Sequence, residues 1–84
     1  MTSLKEEYNK IIKAWVNNIS MSDIYHMILE WIEKNKSIVT NQEIVAIMND
    51  IEKRMENNDE LNDIVEDFIY GVKYQKLRDL VESI

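Results

Sequence analysis

The amino-acid sequence predicts a small all-α protein. Apolar residues recur at intervals of three and four along almost the whole chain, which is the spacing that buries one face of a helix. The 84 residues include no proline and a single glycine, so few positions favour the tight turns of a β protein. We therefore expect one helical domain over residues 1–84, a small four-helix bundle. A fifth short helix after Gly71 is one of two alternatives for its C-terminal end.

The first helix is predicted to begin at Ser3 and to end near Asn17. Ser3 and Glu6 match a capping box, in which each side chain accepts a hydrogen bond from the other residue's backbone N–H. The apolar face of this helix consists of Leu4, Tyr8, Ile11, Ile12, Trp15, Val16 and Ile19. Because Trp15 lies in the middle of this face, we expect it in the core and not on a binding surface.

The second helix is predicted to begin after an N-cap at Ser20 or Ser22. Its apolar stripe comprises Ile24, Met27, Ile28, Trp31 and Ile32. The opposite side carries a polar row of Asp23, His26, Glu30 and Glu33. These side chains lie within reach of one another on a helix, as metal ligands would, but a solvent-facing set with one imidazole binds metal weakly. We therefore interpret the row as a solvated face and expect no metal site.

The third helix is predicted to begin at a second capping box, formed by Thr40 and Glu43. Asn35, Lys36 and Ser37 provide the preceding turn. The core face of the third helix comprises Ile44, Ile47, Met48, Ile51 and Met55.

The second and third helices are joined through the run WIEKNKSIVTNQEIVAIMN. This run resembles the opening of a winged-helix or helix-turn-helix DNA-binding domain. The resemblance implies a transcription regulator with a degenerate helix-turn-helix at residues 22–48, in which Lys34 and Lys36 lie near phosphates. Against it, Ile51 and Met55 continue the apolar stripe through the place where a helix-turn-helix requires its turn.

A localised negative charge also disfavours nucleic acid as the partner. Residues 50–67 contain eight acids against Lys53 and Arg54, a net charge of −6 that equals the charge of the whole chain. The acids are Asp50, Glu52, Glu56, Asp59, Glu60, Asp63, Glu66 and Asp67. Phosphates would repel this segment, whereas a basic protein surface would attract it. The acidic segment is therefore the predicted partner-binding site, with ordinary solubilisation as the alternative.

The fourth helix is predicted to begin after an N-cap at Asn58 or Asp59. Its first stripe comprises Leu61, Ile64, Val65, Phe68, Ile69 and Val72. A later apolar set lies more than about 90° away around a straight helix, so one helix cannot bury both sets. Either the helix breaks near Gly71 and a fifth helix folds back, or it continues and exposes a dimerisation or docking ridge. That ridge would consist of Tyr70, Tyr74, Leu77, Val81 and Ile84.

The remaining composition argues against catalysis. The chain has no cysteine, one histidine and no glycine-rich phosphate loop, and it offers neither a nucleophile with a base nor an EF-hand. No apolar run reaches the roughly 18 residues of a membrane span, and the first residues lack signal-peptide features. We expect a cytoplasmic, non-enzymatic protein-protein interaction module without cofactors. It would be a homodimer and a small acidic regulator or inhibitor of viral, plasmid or bacterial type.

Overall fold

The computed structural model describes residues 4–57 and 60–83. Within these residues the chain forms five α-helices and a short 3₁₀-helix, without any strand. The elements are α1 (Leu4–Val16), α2 (Met21–Asn35), α3 (Gln42–Glu56), α4 (Leu61–Ile69), the 3₁₀-helix (Val72–Tyr74) and α5 (Gln75–Glu82). The predicted all-α class is confirmed, and of the two C-terminal alternatives the chain adopts the fifth helix.

Three aromatic rings meet at the centre of the core. Tyr8 of α1, Trp31 of α2 and Phe68 of α4 have ring centroids 5.2 to 5.8 Å apart, in tilted or edge-to-face arrangements. Such pairs contribute about 0.5–1.5 kcal/mol beyond the burial of their area. The indole Nε1 of Trp31 also donates a hydrogen bond of 3.0 Å to the Leu4 carbonyl oxygen. The apolar periodicities of α1, α2 and α4 therefore converge on one aromatic cluster.

The helix starts follow the sequence signals closely but not completely. Ser20 is the N-cap of α2, because its hydroxyl accepts a hydrogen bond of 3.2 Å from the Asp23 N–H. At α3 the predicted cap is wrong by one residue. Asn41 replaces Thr40 there, since its side-chain oxygen accepts from the N–H groups of Glu43 and Ile44 at 2.9 and 3.3 Å.

The start of α4 is only partly described. Glu60 is its N-cap residue and makes no side-chain capping hydrogen bond. The predicted caps Asn58 and Asp59 lie outside the described residues, as does Ser3 at the start of α1.

The first helix ends in a left-handed turn. Asn18 has a φ of 58°, and its N–H donates to the Trp15 carbonyl while the Ile19 N–H donates to the Ala14 carbonyl, both at 3.1 Å. These two bonds constitute a Schellman motif, which satisfies carbonyls that a helix end leaves free. Asn18 occupies the position that glycine usually takes, because asparagine tolerates this conformation better than most residues.

The break between α4 and α5 is held by Gly71 and Arg78. A Cβ added at Gly71 would lie 2.5 Å from the Asp67 Cα, so only glycine fits where the chain turns back over the end of α4. The Arg78 guanidinium donates to the carbonyl oxygens of Asp67, Phe68 and Gly71, at 2.6 to 3.2 Å. A cation at the negative end of α4 therefore satisfies its last carbonyl groups.

The predicted exposed ridge is wrong for its three middle members. Tyr74, Leu77 and Val81 are buried, since the bend at residues 70–74 turns the later apolar set towards the core. Of the other two members, Tyr70 is 58% exposed and Ile84 lies outside the described residues. The change in the position of the apolar residues around the helix therefore corresponds to a bend in the chain and not to a second apolar face.

Three residues predicted on core faces are exposed instead. Val16 and Ile19 lie at and beyond the end of α1, and Val72 lies in the 3₁₀-helix, where the chain has left the core.

In the described part of the chain, no helix is both long and apolar enough to cross a membrane.

Candidate protein-binding surface

The predicted acidic site divides into acids that hold the fold and acids that face solvent. Asp67 pairs with Arg54 at 2.8 Å, Glu52 pairs with Lys36, and Asp50 accepts a hydrogen bond of 2.9 Å from the Tyr74 hydroxyl. Lys73 also lies 4.0 Å from the Asp50 carboxylate. Part of the negative charge is therefore compensated within the chain.

Arg54 links three elements beneath this part of the surface. Its guanidinium on α3 donates both to the Asp67 carboxylate on α4 and to the Tyr74 hydroxyl, the latter at 3.1 Å, and lies 5.7 Å from the Tyr74 ring centre. Burial raises the pKa of the Tyr74 phenol to about 12, although the Arg54 hydrogen bond opposes that rise. These contacts make Asp50 and Asp67 structural residues, a role that acid counting along the sequence does not reveal.

Three other acids form what we call the acidic stripe: Glu60, Asp63 and Glu66. Asp63 and Glu66 lie on the side of α4 away from its buried residues Ile64 and Phe68, whereas Glu60 is the N-cap residue and lies nearer to Ile64 around the helix. Glu60 and Asp63 are exposed and Glu66 is half-buried, and none of the three has an ion pair among the described residues. Glu56 is also exposed, at the end of α3, whereas Asp59 lies outside the described residues.

An apolar patch with two exposed and two half-buried members lies beyond the C-terminal end of the stripe. The ring of Tyr70 contacts the ring of Trp15, with centroids 5.6 Å apart, which brings the end of α4 beside the end of α1. A shallow cavity of about 310 Å³ opens between Trp15, Asn18, Ile19 and Met21. We call Trp15, Ile19, Met21 and Tyr70 together the Trp15–Tyr70 patch.

The exposed large hydrophobic residues cluster at this end of the molecule. Of the five in the described chain, Val16 and Ile19 belong to the end of α1, and Tyr70 and Val72 belong to the turn after α4. Only Ile38, in the α2–α3 loop, lies in another segment. The patch was not predicted from the sequence, because Ile19 was expected on a core face and Tyr70 on the ridge. Trp15 packs against the core as predicted but is only half-buried. Only the ring contact shows that two segments so distant in sequence meet.

A second, smaller cavity of about 180 Å³ lies between α1 and α2. Its rim carries both signs of charge, from Glu7, Lys10, Glu30 and Lys34. Glu7 and Lys34 form an ion pair of 2.5 Å across it. Because these charges compensate one another, the cavity does not favour a ligand of either sign.

The polar row on α2 is placed as the sequence predicts, on the solvent side of the helix. Asp23, His26, Glu30 and Glu33 are all exposed. The described residues contain no group of three or more His, Asp or Glu side chains placed to hold a metal ion.

Two features of the α2–α3 hairpin argue against the helix-turn-helix alternative. α3 runs without interruption from Gln42 to Glu56, so helix occupies the place where the recognition turn is required. Lys34 and Lys36, the expected phosphate contacts, each form an ion pair, with Glu7 and Glu52 respectively. Both features favour a scaffold role for the hairpin.

No family model, curated protein or solved structure matches this chain.

Proposed function

We propose that this chain is a non-enzymatic protein-binding module that recognises a basic surface on another protein through the acidic stripe. This proposal is supported by a difference among the acids of residues 50–67, only some of which have a partner within the chain. Asp50, Glu52 and Asp67 have partners inside the chain, whereas Glu60 and Asp63 are exposed, Glu66 is half-buried, and none of these three has an ion pair among the described residues.

Like charges at this spacing along the stripe disfavour the unbound state. Three carboxylates at three-residue spacing, one at the N-cap of α4 and two within the helix, repel one another, and charge at the start of α4 is only partly compensated by the helix dipole. A basic partner removes this repulsion and gains attraction from each acid, which raises both the association rate and the specificity. Small size and concentrated charge suit a regulator or inhibitor that covers a basic site on its target.

The test compares two variants that lose the same number of charges. The stripe variant carries Glu60→Gln, Asp63→Asn and Glu66→Gln. The control variant carries Asp23→Asn, Glu30→Gln and Glu33→Gln on the exposed side of α2. Asp23 and Asp63 both lie in the first turn of their helices, so each variant loses an acid from a helix start, and the stripe variant also loses the N-cap acid Glu60.

Each protein is immobilised and used to capture proteins from the native host, at about 50 mM and about 300 mM salt, because screening weakens charge pairs at the higher concentration. We expect basic proteins on the wild type and on the α2 control at low salt, and their loss from the stripe variant. Equal capture by the stripe variant and the control would refute the role of the stripe. So would a set of captured proteins without an excess of basic residues.

A further inference from the structure

We infer that the partner segment is a basic amphipathic helix, with its lysine or arginine side chains along the acidic stripe and its apolar side chains on the Trp15–Tyr70 patch. This inference rests on the proposed function, since it names the partner of the same stripe. It adds two properties that the stripe alone does not imply: an apolar anchor and a helical conformation.

The continuity between the acidic stripe and the Trp15–Tyr70 patch supports the apolar anchor. Asp63, Glu66 and Tyr70 follow one another at intervals of three and four residues, so the two acids and the exposed ring lie on one side of α4. From Asp63 to Tyr70 this side extends about 10 Å, or nearly two helical turns. A partner that reaches the acids along α4 therefore also meets the Tyr70 ring.

The patch is suited to anchor such a partner. Tyr70 is large, more than half exposed and held by its contact with the Trp15 ring, so little side-chain freedom remains to be lost on binding. The cavity beside Trp15 offers an apolar side chain a place to insert between Ile19 and Met21. Aromatic residues of this kind dominate the energy of many interfaces.

Charge decides between a foreign partner and a second copy of this chain. A two-fold contact over this surface would place the stripe of one copy near the stripe of the other, with Glu60, Asp63 and Glu66 contributed by each. Like charges brought together across an interface oppose association, and the whole chain already carries −6. A helix with lysine or arginine beside its apolar stripe complements both parts of the surface.

The all-α architecture supports the helical conformation of the partner segment. An extended peptide usually binds by adding a strand to a sheet edge, where its backbone N–H and C=O groups find partners. The described residues contain no strand, so this surface offers no such edge. A helix satisfies its own backbone groups and presents only side chains, which is the mode that helix-binding surfaces use.

The test selects peptides without assuming their sequence. A display library of random peptides of about 16 residues, long enough for about 24 Å of helix, is selected against the full folded chain. Enriched peptides are then synthesised and titrated by fluorescence anisotropy. The titrated proteins are the wild type, the stripe variant, Tyr70→Ser and Ile38→Ser. Ile38→Ser is the matched control, because Ile38 is 66% exposed but lies away from the patch in sequence and element.

We expect enriched peptides to combine lysine or arginine with apolar residues at helical spacing and to gain helical circular dichroism on binding. Tyr70→Ser should weaken binding about tenfold or more, as loss of an aromatic anchor does. The stripe variant should also weaken binding, most strongly at low salt. Ile38→Ser should leave the affinity unchanged.

The arms separate the two proposals. If the stripe variant weakens binding but Tyr70→Ser does not, the proposed function stands and the inferred anchor is wrong. If Tyr70→Ser weakens binding but the stripe variant does not, both proposals fail, because the partner then needs no basic residues. Peptides that lack basic residues, bind without gaining helix or never enrich also overturn the inference. A wild-type dimer that Tyr70→Ser dissociates in sedimentation equilibrium would assign the patch to a second copy instead.

Discussion

Removing one oxygen atom from Tyr8 is expected to stabilise this protein. Tyr8 is 2% exposed, and its hydroxyl is the one buried side-chain polar atom in the described residues without a hydrogen-bond partner. Burying an unpaired hydroxyl costs about 1–3 kcal/mol relative to water. Tyr8→Phe removes this penalty and keeps the ring contacts with Trp31 and Phe68. We expect a gain of about 1 kcal/mol, which raises Tm by about 4–8 °C in a domain of this size.

The same substitution at Tyr74 should have the opposite effect. Tyr74 is as buried a residue as Tyr8, but its hydroxyl donates to Asp50 and accepts from Arg54. Tyr74→Phe deprives both charged groups of a partner, at a cost of about 1–2 kcal/mol. Urea unfolding at pH 7, followed by circular dichroism, measures both variants against the wild type. Similar losses of stability in the two variants would refute the assignment of the Tyr8 hydroxyl as unpaired.

Alkaline pH provides an independent check on the two phenols. Burial raises the pKa values of Tyr8 and Tyr74 from 10.0 to about 12, because ionised phenolate is poorly solvated inside the protein. Below pH 10 both phenols are protonated in the folded and unfolded states, so this contribution to stability is fully present. Between about pH 10 and 12 only the unfolded chain loses these protons, and stability falls. Tyr8→Phe should make this fall shallower, whereas an unchanged slope would contradict the raised pKa.

Three further predictions concern the turns and the alternative function. Gly71→Ala should cost about 2 kcal/mol, because its Cβ would overlap the Asp67 backbone. Val72→Ala should be nearly neutral, because the Val72 side chain is 88% exposed. Thermal unfolding compares the two variants, and equal Tm values would contradict the close approach at Gly71. Asn18→Gly should be neutral or slightly stabilising, whereas Asn18→Ala should cost about 1 kcal/mol, because only alanine is strained in the left-handed turn. Equal denaturation midpoints for the two variants would argue against that turn. In a mobility-shift assay at about 50 mM salt the protein should not retard duplex DNA, and a salt-sensitive shift would instead favour the helix-turn-helix alternative.

Much of the secondary structure was predictable from local signals. Apolar spacing placed four helices, because each amphipathic segment has one way to bury its stripe. Ser20 marked the start of α2 through a hydrogen bond to a residue three positions away. The cap of α3 was misplaced by one residue, because Thr40 and Asn41 are both good caps and local sequence does not rank their geometry.

The candidate site was less predictable. The acidic segment is evident in composition, yet the sequence treats its acids as equivalent. In the fold Asp67 lies against Arg54, thirteen residues away, and Asp50 lies against Tyr74, twenty-four residues away. Which acids remain available to a partner therefore depends on contacts between elements, and periodicity carries no information about them.

The sequence by itself determined the all-α class, the location of the negative charge and the presence of a phase change near Gly71. Tertiary structure alone decided what that change means. A bend there buries Tyr74, Leu77 and Val81, and Arg78 then reaches the free carbonyls at the end of α4. The physical reason is that local spacing specifies which face of a helix is apolar, whereas only packing between helices specifies which apolar face finds a core.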